Sequence, residues 1–147
     1  MTLPPLPESA IVIGADATSW RDAVTIAGEA LAASGAARPG YAQEMIRMIE
    51  EHGPYVVIAP GLALAHARPG PDVITDGLAI VTLSEPVRFG HPHNDPVRVV
   101  LGLAITDPGT HLGAVADLAN VFNDSSAIAD LAAATTPAEV LAIMGVA

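Results

Sequence analysis

Two kinds of hydrophobic pattern alternate along the chain. Nearly continuous apolar runs predict buried strands at residues 10–14, 55–59, 62–64, 77–83 and 97–105. Amphipathic segments predict helices at residues 20–33, 39–52, 110–122, 125–134 and 137–144. Because strands that are apolar on both faces need cover on both faces, this alternation predicts an α/β fold with helices on both sides of a sheet.

Local signals place several boundaries of these elements. Ser19 followed by Asp22 resembles a capping box at the start of the first helix, and Thr136 caps the last one. Residues 84–96 carry three prolines and predict a long loop. Neither an internal repeat nor a linker is visible, so we expect one domain over residues 1–147, with a loose lead-in at residues 1–9.

The composition narrows the class of function. The chain has 147 residues, no cysteine, and 16 acidic against 6 basic residues, for a net charge of −10. All the basic residues are arginines. This balance argues against nucleic acid and anionic membranes as partners and leaves a basic protein open. The absence of cysteine excludes a disulfide framework and a thiolate nucleophile.

The chain carries no signal for a membrane or for secretion. No apolar run approaches the ~18–20 residues that a spanning helix needs. The N-terminus lacks a basic segment followed by an apolar stretch, so we expect a cytoplasmic protein without membrane insertion. Neither a phosphate-cradling glycine loop nor a G-x-S-x-G elbow occurs in the sequence.

His66 is the first candidate for chemistry. It follows a short apolar strand and enters a loop, where α/β folds often place reactive groups. Small neighbours leave its ring accessible, and Arg68 could neutralise a bound anion. The alternative, a core histidine bonded to a carbonyl, is equally compatible with the spacing.

Two further histidines lie near predicted helix ends. His111 falls in the first turn of a helix, where free N–H groups and the helix dipole favour an anion. His52 lies at the C-terminal end of a helix, and we interpret it as a cap.

The remaining histidines form an H-x-H-x-D pattern with an aspartate. In a strand, His91 and His93 would face the same way and could bind zinc together with Asp95. Flanking prolines make a strand improbable here, so we favour a stiff loop and expect no metal.

Several segments together resemble the type-2 enzyme IIA domain of the bacterial phosphotransferase system, the mannitol/fructose family. The motifs HGPYVVIAPG…HARP and FGHxxNDPV make the sequence most similar to the ascorbate-type branch. The matching segments are residues 41–45, 52–69, 83–91, 94–97 and 110–112. The resemblance implies an α/β domain with a mixed, mostly parallel five-stranded sheet and helices on both faces.

The resemblance also implies roles for individual residues and partners. His66 would take a phosphoryl group from the phosphocarrier protein HPr and pass it to an EIIB component, usually to a cysteine. His111 would be the second active-site histidine and would hydrogen-bond the phosphoryl group, with Arg68 as a supporting cation. The resemblance implies neither a metal nor an organic cofactor, and a homo-oligomer stays open.

Two departures from the family pattern bear on the site. Ala65 stands where the family usually has proline before the active histidine. Met48 stands where many relatives have an arginine, and the neighbouring Arg47 would point about 100° away on a helix. We therefore do not transfer that arginine's role to Arg47.

Four apolar residues near the motifs, Leu62, Leu64, Val87 and Phe89, are expected to form a rim on which a partner protein docks. Three other functions stay open from the sequence. The chain could be a regulatory EIIA-like protein without transport, a metal hydrolase that uses His91, His93, Asp95 and His66, or a binding module without chemistry.

Overall fold

The computed structural model describes residues 3–124 and 126–146, except for the side chain at position 111. Five strands and five helices follow one another along this part of the chain. They are β1 (Ile11–Ala15), α1 (Trp20–Ala33), α2 (Tyr41–His52), β2 (Val57–Ala59), β3 (Leu62–His66), β4 (Gly77–Val87), β5 (Val97–Ala104), α3 (Pro108–Val121), α4 (Ser126–Ala133) and α5 (Pro137–Met144).

The strands form one mixed five-stranded sheet in the order β1-β4-β5-β3-β2. β1 pairs with β4 and β3 with β5 in parallel, whereas β4–β5 and β2–β3 are antiparallel, so the two kinds of pairing are balanced. The α/β class with a mixed sheet is thereby confirmed. β3 is an inner strand, and its last residue, His66, pairs in register with Leu103 of β5.

Helices cover both faces of the sheet, as the apolar strands predicted. In β3, Leu62 and Leu64 belong to a buried cluster that includes residues of α3, α4 and α5. Ala63 and Ala65 belong to the opposite cluster, which includes residues of α1 and α2. The alternation follows from the two-residue period of a strand, so β3 is buried between two helical layers up to the residue before His66.

α2 is positioned by a close contact with α1. A Cβ added at Gly28 of α1 would lie 2.8 Å from the Ala42 Cα, which is too close for a real side chain. On the opposite side of α2, Arg47 pairs with Glu44 and, at 2.8 Å, with Glu51. The helix ends at Gly53, whose φ of 84° is accessible to glycine at little cost.

The caps predicted from the sequence are present. The Ser19 side chain accepts a hydrogen bond from the Asp22 N–H, and the Thr136 side chain accepts one from the Glu139 N–H. Asp107 caps α3 in the same way, through the N–H of Thr110.

Two expectations from the sequence are corrected. β4 continues to Val87, so that only residues 88–96 of the predicted loop lie outside the strand. Within the N-terminal lead-in, expected to be loose, Leu3 and Leu6 pack against the core and the Pro5 carbonyl accepts a hydrogen bond from the Leu78 N–H at 3.0 Å. Helix length and hydropathy reveal no candidate for a bilayer-spanning helix within residues 3–124 and 126–146.

Candidate functional site

His66 ends β3 half-buried, with its imidazole fixed by the strand itself. Its Nδ1 lies 2.8 Å from the Leu64 carbonyl oxygen. A carbonyl can only accept, so this contact requires the proton on Nδ1 and leaves the lone pair on Nε2. The carbonyl bond expected of a core histidine is present, but the ring also lines a cavity.

The cavity beside His66 has a volume of about 330 Å³. It lies between the end of α2, the segment that follows α2, and the end of β3. Its lining residues are Met48, His52, Tyr55, His66, Ala67 and Arg68. The site therefore offers two imidazoles, a phenol and a guanidinium in a space that fits a small anionic group.

Three aromatic rings stand in a row along this cavity. The Tyr55 ring meets His66 edge-on, with centroids 5.6 Å apart, and it meets His52 in the same way at 6.3 Å. Partial burial raises the pKa of the Tyr55 hydroxyl, and the charge of Arg68 partly offsets this. At neutral pH Tyr55 consequently remains a hydrogen-bond donor.

Three residues that bear on a positive charge at the site, Arg47, Met48 and Arg68, differ in whether they line the cavity. Met48 lines the cavity, whereas Arg47 is held outside by glutamates of its own helix. Arg47 is therefore not among the residues that line the cavity, and no role at the site is transferred to it. Arg68 is exposed and lines the cavity, where it provides a positive charge.

His52 and Tyr55 were not identified as site residues from the sequence. His52 is indeed the last residue of α2, as the interpretation as a cap expected. The turn at Gly53 brings the chain back so that both rings reach the cavity of His66. The only signal was that they fall within the long segment 52–69 that also contains His66.

His111 lies in the first turns of α3, but its side chain is outside the described residues. Because β3 and β5 are parallel neighbours, both end at the same edge of the sheet. α3 begins at Pro108, shortly after β5 ends at Ala104. Topology therefore brings the start of α3 towards the edge where His66 lies.

Behind the strand end, Tyr41 is buried, with 1% of its surface exposed. Its hydroxyl donates to the Leu103 carbonyl at 2.7 Å and accepts from the Ala67 N–H at 3.1 Å. Burial is the main cause that raises the Tyr41 pKa to about 12.

The H-x-H-x-D pattern is engaged in loop structure. His91 Nδ1 accepts hydrogen bonds from the backbone N–H groups of His93 and Asn94, at 3.1 and 3.0 Å. The Asp95 carboxylate accepts from three backbone N–H groups, those of Phe89, Gly90 and His91. Within residues 3–124 and 126–146, leaving aside the side chain at position 111, no group of three or more acidic or histidine side chains could hold a metal ion.

The expected docking rim is wrong. Its four members are all buried, with exposures of 0% to 7%: Leu62, Leu64, Val87 and Phe89. They are near the motifs in sequence, but Leu62 and Leu64 lie in an inner strand that is covered on both faces, and Val87 and Phe89 pack into the core as well. Large apolar residues that are exposed include Tyr55 at 41% and Leu112 at 73%, next to the candidate histidines.

Residues 5–145 match the family model described as phosphoenolpyruvate-dependent sugar phosphotransferase system, EIIA 2. The chain belongs to this EIIA 2 family. Among curated EIIA relatives, the ascorbate-specific PTS system EIIA component of Shigella boydii is 40% identical over 132 residues, which cover 89% of this chain and 86% of the relative.

Solved EIIA structures share the fold. The crystal structure of IIA mannitol from Escherichia coli aligns with a TM-score of 0.84 at 29% identity, covering 95% of this chain and 99% of that one. The complex of enzyme IIAMTL with phosphorylated enzyme IIBMTL from Escherichia coli also aligns with a TM-score of 0.84, at 27% identity, covering 96% and 97% of the two chains.

Proposed function

We propose that this chain is a phosphoryl carrier of a sugar phosphotransferase system, with His66 as the residue that holds the phosphoryl group. The observation that carries the proposal is the 2.8 Å contact between His66 Nδ1 and the Leu64 carbonyl, on a ring that lines an open cavity. A histidine bonded only for structure would not need to line a cavity beside an arginine and a tyrosine.

The transfer forms one bond and breaks one bond. The Nε2 lone pair of His66 attacks the phosphorus of the phosphohistidine of HPr in line with the P–N bond. That bond breaks, and its electron pair returns to the HPr imidazole. The positive charge that develops on the His66 ring is stabilised by the Leu64 carbonyl, which already accepts from Nδ1. The reverse geometry delivers the phosphoryl group to an acceptor on EIIB, a cysteine by family resemblance.

Groups around the cavity stabilise the phosphoryl oxygens in this mechanism. Arg68 supplies a positive charge and Tyr55 a protonated hydroxyl, both beside His66. Family resemblance adds His111, and the start of α3 adds the positive end of a helix dipole. The chemistry needs neither a metal nor an organic cofactor.

We assign HPr as the donor and an EIIB component as the acceptor, in the cytoplasm. One relative of known structure that aligns over nearly its whole length, enzyme IIAMTL, is in a complex with phosphorylated enzyme IIBMTL. The net charge of −10 suits electrostatic attraction to a basic carrier surface. The sugar would be ascorbate or a related compound, because the curated relative at 40% identity is named ascorbate-specific.

Phosphoenolpyruvate labelled with ³²P, together with enzyme I and HPr, tests the proposal directly. The wild-type chain should become labelled on His66 and should lose the label when EIIB is added. His66→Ala should take no label, and His93→Ala is the matched control that should label normally. Labelling of His66→Ala at the wild-type rate would exclude His66 as the carrier. Label that EIIB cannot remove would favour the regulatory alternative.

A further inference from the structure

One hydroxyl group interrupts the ladder between β3 and β5 immediately after His66. Leu64 directs its N–H to the side of β2, where it bonds at 2.8 Å to the carbonyl of Val56, the residue before that strand. Because backbone direction alternates along a strand, Ala63, Ala65 and Ala67 direct their N–H groups towards β5. With His66 in register with Leu103, the next ladder bond would run from Ala67 to the Leu103 carbonyl.

The Tyr41 hydroxyl occupies the place of that bond. It accepts from the Ala67 N–H at 3.1 Å and donates to the Leu103 carbonyl at 2.7 Å. A second contact, to the Ala67 carbonyl at 3.4 Å, is longer, and a hydroxyl has one proton, so the donation goes to Leu103. Both backbone groups thus keep a partner while the strands stay apart by one oxygen atom.

We infer that Tyr41 is a positioning residue for His66, and that its hydroxyl holds β3 away from β5 at the point where the imidazole leaves the strand. The bond between His66 Nδ1 and the Leu64 carbonyl depends on the path of the backbone from Leu64 to Ala67. A shift of Ala67 towards β5 would change that path. Tyr41 contacts this backbone from the first turn of α2, on the protein side of the site.

Removal of the hydroxyl alone tests this role. In Tyr41→Phe the ring still fills its buried site, but the Ala67 N–H and the Leu103 carbonyl lose their partner. The ladder should then close, with a direct bond between Ala67 and Leu103. Since displacement of a reacting group by about 1 Å can cost on the order of 10²-fold in rate, phosphoryl transfer from phospho-HPr should fall roughly 10- to 100-fold.

Two NMR measurements separate positioning from general stability. Coupling through a hydrogen bond between the Ala67 nitrogen and the Leu103 carbonyl carbon should be absent in the wild type and present in Tyr41→Phe. The ¹⁵N shifts of the His66 imidazole should show a smaller share of the Nδ1–H form in the variant. A residue with only a structural role would lower the melting temperature and leave these shifts unchanged.

Thr82→Val is the matched control. The Thr82 side chain is 2% exposed, and its oxygen accepts from the Gly14 N–H at 2.9 Å in the same sheet. It pairs in register with Val99, at the far end of the sheet from the Leu103 level of His66. This variant also loses a buried hydroxyl bonded to a backbone amide, and it should retain the wild-type transfer rate.

This inference rests on the proposed function only for its rate measurement, so the two can fail separately. A folded Tyr41→Phe with the wild-type rate and wild-type imidazole shifts would overturn the inference, as would coupling between Ala67 and Leu103 in the wild type. If the wild type takes no label, the proposed function fails and the NMR measurements still decide the role of Tyr41.

If Tyr41→Phe does not fold, 3-fluorotyrosine at position 41 keeps both bonds and alters the hydroxyl acidity. The imidazole shifts should then move together with the Ala67 amide, and imidazole shifts that stay fixed would reject the inference.

Discussion

The imidazole of His66 is bonded to the backbone of its own strand, because its Nδ1 lies 2.8 Å from the carbonyl oxygen of Leu64, two residues earlier. The same strand directs the Leu64 N–H to the side of β2. The tautomer of the imidazole is therefore fixed by secondary structure, before any partner or phosphoryl group arrives.

This contact predicts which nitrogen becomes phosphorylated. The Nδ1 carries the proton that the Leu64 carbonyl accepts, so Nε2 is the nucleophile and the phosphoryl group should be on Nε2 alone. Nitrogen and phosphorus NMR of the phosphorylated, ¹⁵N-labelled protein distinguishes the two isomers. Phosphoryl on Nδ1 would show that the bond to Leu64 breaks before transfer.

Arg68 should contribute to transfer, and Arg47 should not. Arg68→Gln removes the positive charge beside the cavity, and the rate of labelling by phospho-HPr should fall about 10-fold, which corresponds to roughly 1.4 kcal/mol of transition-state stabilisation. Stopped-time labelling over a range of phospho-HPr concentrations gives this rate.

Arg47→Gln is the matched control, because it removes the same charge from an exposed position and leaves the cavity lining intact. Its labelling rate should stay within about twofold of the wild type, and its stability should stay close to that of the wild type, because exposed ion pairs contribute little. Equal losses in the two variants would mean that net charge, not the site, determines the rate.

The parts of the fold that the sequence predicted are those decided by neighbours in the chain. The cap at Ser19 is local, because it needs only the N–H of Asp22 three residues later. The extension of β4 to Val87 was missed since residues 84–86 are exposed and are serine, glutamate and proline, so they lack the apolar pattern of the strand's first half. Pairing with β5 at Val97 keeps this part in the sheet, and no local signal reports such pairing.

The residues of the candidate site divide in the same way, into those that a local pattern predicts and those that it does not. His66 was identifiable because a polar residue ends an apolar strand. Tyr55 and His52 were missed because a turn with positive φ at Gly53 brings them into the cavity. The docking rim failed because nearness to a motif in sequence does not say whether a residue is covered: β3 is packed on both faces, and Leu64, two residues from His66, is 1% exposed.

Contact between α1 and α2 should make Gly28 sensitive to substitution. A methyl group there would overlap Ala42, so Gly28→Ala should destabilise the protein by about 1–3 kcal/mol although alanine favours helices. Urea unfolding followed by circular dichroism measures the change.

Gly70→Ala serves as the control, since the nearest atom to an added Cβ is 3.8 Å away and its φ is not positive. This variant should be neutral or gain up to about 1 kcal/mol. A stable Gly28→Ala protein would show that α2 can move away from α1 without loss.

Alkaline titration should destabilise the protein through Tyr41. The chain has no lysine and no cysteine, so its two tyrosines are the side chains that titrate between about pH 9 and 12. The folded-state pKa of Tyr41 is raised from 10.0 to about 12, chiefly by burial. A raised pKa stabilises the folded state fully below the unfolded value, and this stability is lost as the pH rises from 10 towards 12. The free energy of unfolding should thus fall by about 2–3 kcal/mol over that range.

Tyrosinate absorbance together with urea unfolding at each pH would follow this loss of stability. Tyr41→Phe should remove most of the slope and Tyr55→Phe only a small part, whereas a slope that survives in Tyr41→Phe would place the alkaline sensitivity elsewhere.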